Sequence, residues 1–183
     1  MKVIGLIGGM SWESSMEYYR LINQGIKEKL GGLHSCKCLM YSVDFAEIEI
    51  LQHHGKWDEA NMMMIDAAER LERGGAGFIV ICTNTMHKMA DDIQKSVTIP
   101  LLHIADAAAE KIKELGLGKV GLLGTRFTME QDFYRGRLKS IFGIDVVIPD
   151  ETDRQVIHDI IYNELCLGEI KDVSRKKIYR DNQ

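Results

Sequence analysis

Gly77-Phe78-Ile79-Val80-Ile81-Cys82-Thr83-Asn84-Thr85-Met86-His87 is the stretch that decides the fold. Phe78 to Ile81 are continuous, branched or aromatic, and bounded by Gly74, Gly75 and Gly77, the pattern of a strand buried on both faces. The run stops at a cysteine and a cluster of small polar side chains, and a helical pattern comes next. In open parallel α/β sheets, ligands bind beyond the carboxyl ends of the strands. Cys82 is therefore expected in a cleft, close to the N-terminus of the next helix, a position that favours a thiolate.

Working outward, Val3 to Ile7 reads as a first buried strand, and Gly8-Gly9-Met10 turns it into a helix running from Ser11, a suitable N-cap, to about Leu30. Cys38 to Val43 reads as a second strand, and Glu47 to His53 as a short helix or loop. Ala60, Met64, Ala67, Ala68 and Leu71 fall at helical spacing, so a long helix is expected over Trp57 to Arg73. After the Cys82 strand come a helix over Met86 to Lys95, a short strand from Ile99 to His103, and a helix from Ala105 to Leu115 stopped by Gly116.

The sequence then restarts. Gly121-Leu122-Leu123-Gly124 repeats Gly5-Leu6-Ile7-Gly8 at an offset of 116 residues, and again a turn leads into a helix. A four-residue match is weak alone, because glycine often comes after a buried strand. Its weight comes from the order of the later elements: a helix after Phe127, a strand from Ile144 to Ile148, and helices over Thr152 to Leu165 and from Asp172. The expected architecture is α/β, with two similar parallel-sheet units, 1–104 carrying Cys82 and 105–183. Shifted by 116, the counterpart of Cys82 falls at position 198, beyond Gln183. The second unit is thus expected to be incomplete before its last strand, and the face left open favours partner contacts, a homodimer among them.

A formal net charge of −4 with scattered charges argues against a nucleic-acid surface. The basic cluster Arg175-Lys176-Lys177 reads as a solvated helix face. No stretch reaches the length of a membrane span, and Val3 to Ile7 runs into Gly8-Gly9 without a signal-cleavage pattern, so a cytoplasmic protein with no membrane partner is expected. Four cysteines without a regular framework suggest free thiols. Cys36 and Cys38 lack a second ligand pair at zinc spacing and read as core, and His53-His54 as a polar loop. Met62 to Met64 fill gaps on a helix face. Gly5-x-x-Gly8-Gly9 does not have dinucleotide-binding spacing.

A thiol beyond a strand end suits two kinds of chemistry. One is nucleophilic attack, with His87 as the base. The other is proton abstraction next to a carboxylate, in which Thr83, Asn84, Thr85 and backbone N–H groups hold the carboxylate and its developing charge. A racemase must deliver a proton to the opposite face, and two similar units facing each other supply an acid/base on each side without a cofactor.

Gly8-Gly9-Met10-Ser11-Trp12-Glu13-Ser14, Cys82-Thr83-Asn84-Thr85-Met86-His87 and Leu123-Gly124-Thr125-Arg126-Phe127-Thr128-Met129 resemble the motifs of the cofactor-independent aspartate/glutamate racemases, close to their broad-specificity amino-acid racemases. The resemblance implies two α/β units with the active site in the cleft between them, no metal and no cofactor. It matches Cys82 to the first catalytic cysteine, Met10, Gln52, Thr83, Asn84 and Thr85 to the substrate pocket, and Thr125 and Thr128 to the polar turn of the second unit. Lys171 matches a lysine that in some members approaches the distal carboxylate of the substrate. The family's second cysteine lies in a Gly-Cys-Thr-Glu segment that this sequence lacks, and Cys166, in an apparent helix, does not replace it. The expected function is interconversion of L- and D-aspartate or glutamate through a thiol acid/base. The alternatives are a one-cysteine decarboxylase or isomerase, and a protein that binds the amino acid without turning it over.

Overall fold

The computed structural model describes residues 1–180, so residues 181–183 of the expected second unit lie outside the described residues. The chain divides into two compact units, Met1–His103 and a second beginning at Ile104.

The first unit is built on β1 (Ile4–Gly8), α1 (Trp12–Leu30), β2 (Cys38–Ser42), α2 (Phe45–His53), α3 (Trp57–Arg73), β3 (Phe78–Ile81), α4 (Ala90–Ser96) and β4 (Leu101–Leu102). The strands form one parallel sheet in the order β2-β1-β3-β4. β1 is central, which is why all five of its residues are buried.

Side-chain alternation divides the packing between two faces. Ile79 and Ile81 enter a large cluster with Ile48, Met64, Ala67 and Ile93, supplied by α2, α3 and α4. Phe78, Val80 and Cys82 join Ile4 and Leu6 in a smaller cluster that includes Tyr18 and Ile22 of α1. The expectation of burial on both faces is corrected here, because Phe78 and Val80 on the α1 side are only half-buried.

The helical spacing in α3 translates directly into its buried stripe, Ala60, Met64, Ala67, Ala68 and Leu71. Met64 is fully buried. Met64→Ala should destabilise the protein by about 3 kcal/mol, read as a lower urea midpoint at unchanged slope.

Ser11 caps α1 as expected, its hydroxyl accepting from the Ser14 N–H. The expected strand over Ile99 to His103 shrinks to two residues. Pro100 has no N–H to give a ladder, but its carbonyl still accepts from the Ile79 N–H at 2.8 Å. The helix expected over Met86 to Lys95 begins as a 3₁₀ turn, Thr85–Met89, before α4.

The second unit contains α5 (Ile104–Glu114), β5 (Lys119–Gly121), α6 (Arg126–Glu130), α7 (Asp132–Phe142), β6 (Asp145–Val147), α8 (Glu151–Asn163), a 3₁₀ turn at Leu165–Leu167 and α9 (Asp172–Arg180). β5 and β6 pair in parallel, as β1 and β2 do. Its core joins Ala105 and Ala109 to Tyr134, Leu138 and Ile144, and a bidentate Arg137–Asp106 pair at 2.6 and 2.7 Å ties α7 to α5. One helix after Phe127 becomes two, because Gln131 takes an extended conformation. Cys166 lies in the 3₁₀ turn after α8 and not in a continuing helix. Among the described residues, no helix is long and apolar enough to cross a membrane.

Candidate active site

Two chain reversals meet at the carboxyl end of the first sheet. After β1, the Gly9 N–H donates to Ser15 Oγ at 2.9 Å, and the Ser15 hydroxyl donates to the Ser11 carbonyl at 3.1 Å. After β3, the Cys82 N–H donates to the Ile7 carbonyl at 2.9 Å, and the Cys82 carbonyl accepts from the Ser14 hydroxyl at 3.0 Å. Cys82 is thereby fastened on one side to β1 and on the other to the first turn of α1. The motifs did not single out Ser14 and Ser15 for this role. Their signal was the run Ser11 to Ser15, which places hydroxyls one helical turn apart.

Beyond Cys82 the backbone turns through Asn84 into the 3₁₀ helix, and the Asn84 carbonyl accepts from the His87 N–H at 3.0 Å. His87 Nδ1 lies 2.7 Å from the Thr83 carbonyl. A carbonyl only accepts, so Nδ1 carries the proton in this bond and is committed to holding Thr83 in place. The His87 ring meets the His103 ring edge-on at 4.6 Å, and both are buried. His103 is a further residue near the site that no motif indicated.

Met10 packs in the same cluster as Ile48 and Met86, and the buried Gln52 directs its amide N–H toward Met86 Sδ at 3.1 Å. Thr85 is buried, Thr83 half-buried and Asn84 exposed. In the first unit, then, Met10 and Gln52 both gather around Met86 of the Cys82–His87 segment.

In the second unit, Thr125 caps α6, its Oγ1 accepting from the Thr128 N–H and lying 3.2 Å from Thr128 Oγ1. His158 of α8 steadies this turn, with Nδ1 accepting from the Arg126 N–H at 3.3 Å and its ring meeting Phe127 edge-on. Lys171 is paired with its neighbour Glu169 at 2.8 Å, about half of each side chain exposed.

The expected thiolate is corrected. Cys82 has 0% exposure, and burial pushes its thiol up to about 12. Removing a charged sulfur from water beside Ile4 and Leu6 costs more than the short 3₁₀ turn returns, so the resting group is a neutral thiol. The folded value lies above the ordinary thiol value, so the contribution to stability is intact below pH 9 and is lost between pH 9 and about 12. The urea midpoint of the unaltered protein should fall more between pH 8 and pH 10 than that of Cys82→Ala.

Among the described residues, no group of three or more His, Cys, Asp or Glu is placed to hold a metal ion. Cys36 and Cys38 pack with Ile4 and Leu6, and the Cys38 thiol is raised first by burial and then by Cys36.

The profile of the Asp/Glu/Hydantoin racemase family matches residues 7–180. The chain belongs to that family. A broad specificity amino-acid racemase of Bacillus subtilis is 35% identical over 101 residues, covering 54% of this chain and 43% of that protein. A glutamate racemase of Streptococcus agalactiae is 38% identical over 65 residues, 34% of this chain and 25% of its own. The matched segments thus span less than half the length of these racemases. Among solved structures, a candidate Asp/Glu racemase from Yersinia pestis is 58% identical with a TM-score of 0.89, over 99% of this chain and 79% of that one. An aspartate racemase homologue from Pyrococcus horikoshii OT3 is 38% identical with a TM-score of 0.79, over 94% and 75%. The aspartate racemase of Picrophilus torridus, 20% identical with a TM-score of 0.77 over 99% and 74%, shares the two-domain fold of parallel sheets and helices.

Proposed function

We propose that this member of the racemase family interconverts the L and D forms of aspartate or glutamate without a cofactor, in the cytoplasm, with Cys82 as the acid/base on one face of Cα. The observation that carries the reading is the fastening of Cys82 at the end of β3, its backbone bonded to Ile7 and Ser14, with Thr83, Asn84 and Thr85 immediately after it. In this reading Thr83, Asn84, Thr85 and Thr125 supply hydrogen bonds to the carboxylates, while Met10, Gln52 and Thr128 shape the pocket. Lys171 reaches the distal carboxylate only after leaving Glu169.

A racemase thiol must both take and give a proton. Cys82 is neutral at rest, so its ionisation is coupled to binding, when the ammonium of the amino acid brings a positive charge that favours the thiolate. The thiolate then takes the Cα proton, and the negative charge spreads onto a carboxylate held by donors. An acid on the opposite face completes inversion.

The neutral thiol also favours a second reading. A one-cysteine decarboxylase or isomerase needs only an acid that protonates a carbanion from one side, and a thiol at about 12 is such an acid at rest. One experiment separates the two. The chain is incubated with L-aspartate, and separately L-glutamate, in deuterated water, with Cα deuteration monitored by NMR and configuration by chiral chromatography. Deuterium in both enantiomers supports racemisation. Turnover of a substituted malonate without amino-acid exchange supports the second reading. Binding of aspartate by calorimetry with neither reaction leaves a non-catalytic amino-acid-binding protein.

A further inference from the structure

Cys36 and Cys38 stand at alternate positions where the chain enters the edge strand β2, so their side chains share one face of the sheet. Both join the cluster on the α1 side, with Ile4, Leu6, Tyr18 and Ile22. Both are free and half-buried, and the two thiols lie within hydrogen-bonding reach of each other.

The backbone that carries them is fixed at three successive residues. The Cys36 N–H donates to Asn23 Oδ1 of α1 at 2.9 Å, the Lys37 carbonyl accepts from the Ile4 N–H at 2.8 Å, and Cys38 is in register with Ile4 in the parallel ladder. Asn23 is itself held, its amide donating to the Tyr19 carbonyl at 2.8 Å. The pair of sulfurs is thus assembled before any ligand arrives.

The spacing decides between two uses of such a dithiol. Alternate residues of an extended strand are about 6.6 Å apart at Cα, near the upper limit that an S–S bond of about 2.05 Å can bridge. An ion seated between two thiolates holds them roughly 4.6 Å apart, twice a metal–sulfur bond. The extended backbone therefore suits an ion better than a disulfide.

The number and softness of the donors decide which ion. Among the described residues, no third His, Cys, Asp or Glu completes a metal-holding group with the pair. Structural zinc takes four donors. Soft sulfur ligands select Cu(I), which two thiolates satisfy. Cys38 also lines a groove of about 680 Å³ between α1 and β2, whose walls include Met16 and Met40. Their thioethers are soft donors that a copper ion meets on the way in. Burial first, and then the neighbouring Cys36, hold the Cys38 thiol above its ordinary value. A cation between the two sulfurs removes that opposition to ionising both.

We propose that Cys36 and Cys38 form a two-coordinate Cu(I) site. Binding breaks two S–H bonds, releases both protons to water and forms two Cu–S bonds, with copper remaining Cu(I). The proposal does not rest on the racemase reading.

Anaerobic titration of the fully reduced 183-residue chain with Cu(I), in competition with bicinchoninate, tests it. The folded chain should withdraw a single tight equivalent, with a thiolate-to-copper charge-transfer band in the ultraviolet and only sulfur neighbours in the copper X-ray absorption spectrum. Cys36→Ser and Cys38→Ser should each raise the Cu(I) dissociation constant about 100-fold or more, because a serine oxygen is a hard donor, while far-UV circular dichroism stays unchanged. The double variant Cys82→Ala, Cys166→Ser removes the other two thiols and should bind Cu(I) as tightly as the unaltered chain. No copper withdrawn by the folded chain, tight binding that survives both single serine variants, loss of the tight equivalent in the double variant, or nitrogen and oxygen neighbours around copper would each overturn the proposal.

Discussion

Cys82→Ala is expected to lower the rate of Cα deuterium incorporation into aspartate or glutamate by about 1,000-fold or more, within the range over which a positioned acid or base acts. Alanine keeps the Cβ, and the bonds from Cys82 to Ile7 and Ser14 are made by its backbone, so the loop should hold its shape. The loss should therefore fall on kcat, with KM changed little. Cys82→Ser should be nearly as poor, because a buried hydroxyl ionises less readily still than a buried thiol. Exchange that survives in a folded Cys82→Ala protein would remove Cys82 from the chemistry.

Gly9→Ala should destabilise the protein by about 4 kcal/mol, the largest effect on folding expected from one added methyl group here. Gly9 has φ 95°, a conformation that an L side chain rarely adopts. A Cβ there would also overlap the backbone of Val43, whose N–H is bonded to the Gly8 carbonyl. Neither side can yield, because the bond between Val43 and Gly8 extends the β1–β2 ladder. The urea midpoint should drop accordingly. Gly55→Ala is the comparison: its φ is also positive, at 68°, but open space surrounds it, so only the conformational part of the cost should appear.

What the sequence made legible had a local cause. Ala60, Met64, Ala67, Ala68 and Leu71 repeat with the helical period, and the stripe they form is the buried face of α3. Ser11 caps α1 because a hydroxyl and the N–H three residues later are neighbours in any helix start. Gly116 ends α5 because it takes a positive φ.

The features that escaped depend on residues far apart. The protonation of Cys82 is decided by Ile4, Leu6 and Tyr18, which become its neighbours only once β1 and α1 are in place. The link from Ser14 to the Cys82 carbonyl spans 68 residues and has no local signature. The break at Gln131 lies between two segments that both have helical composition. The position of Cys82 at a strand end was therefore readable, while its acidity was not.

The place of β1 in the sheet has a consequence for the order in which the chain can assemble. β1 pairs on one side with β2, where Ile4 meets Cys38, and on the other with β3, where Ile4 meets Phe78. On a growing chain the first pairing can close early, but the second must wait until Ile81 has emerged. Such non-local parallel pairings close slowly. During that interval the apolar flank of β1 is open, and Cys82 gains its place only when β3 docks there. Chaperones can act on this protein in the same interval, before the Cys82 thiol has been enclosed.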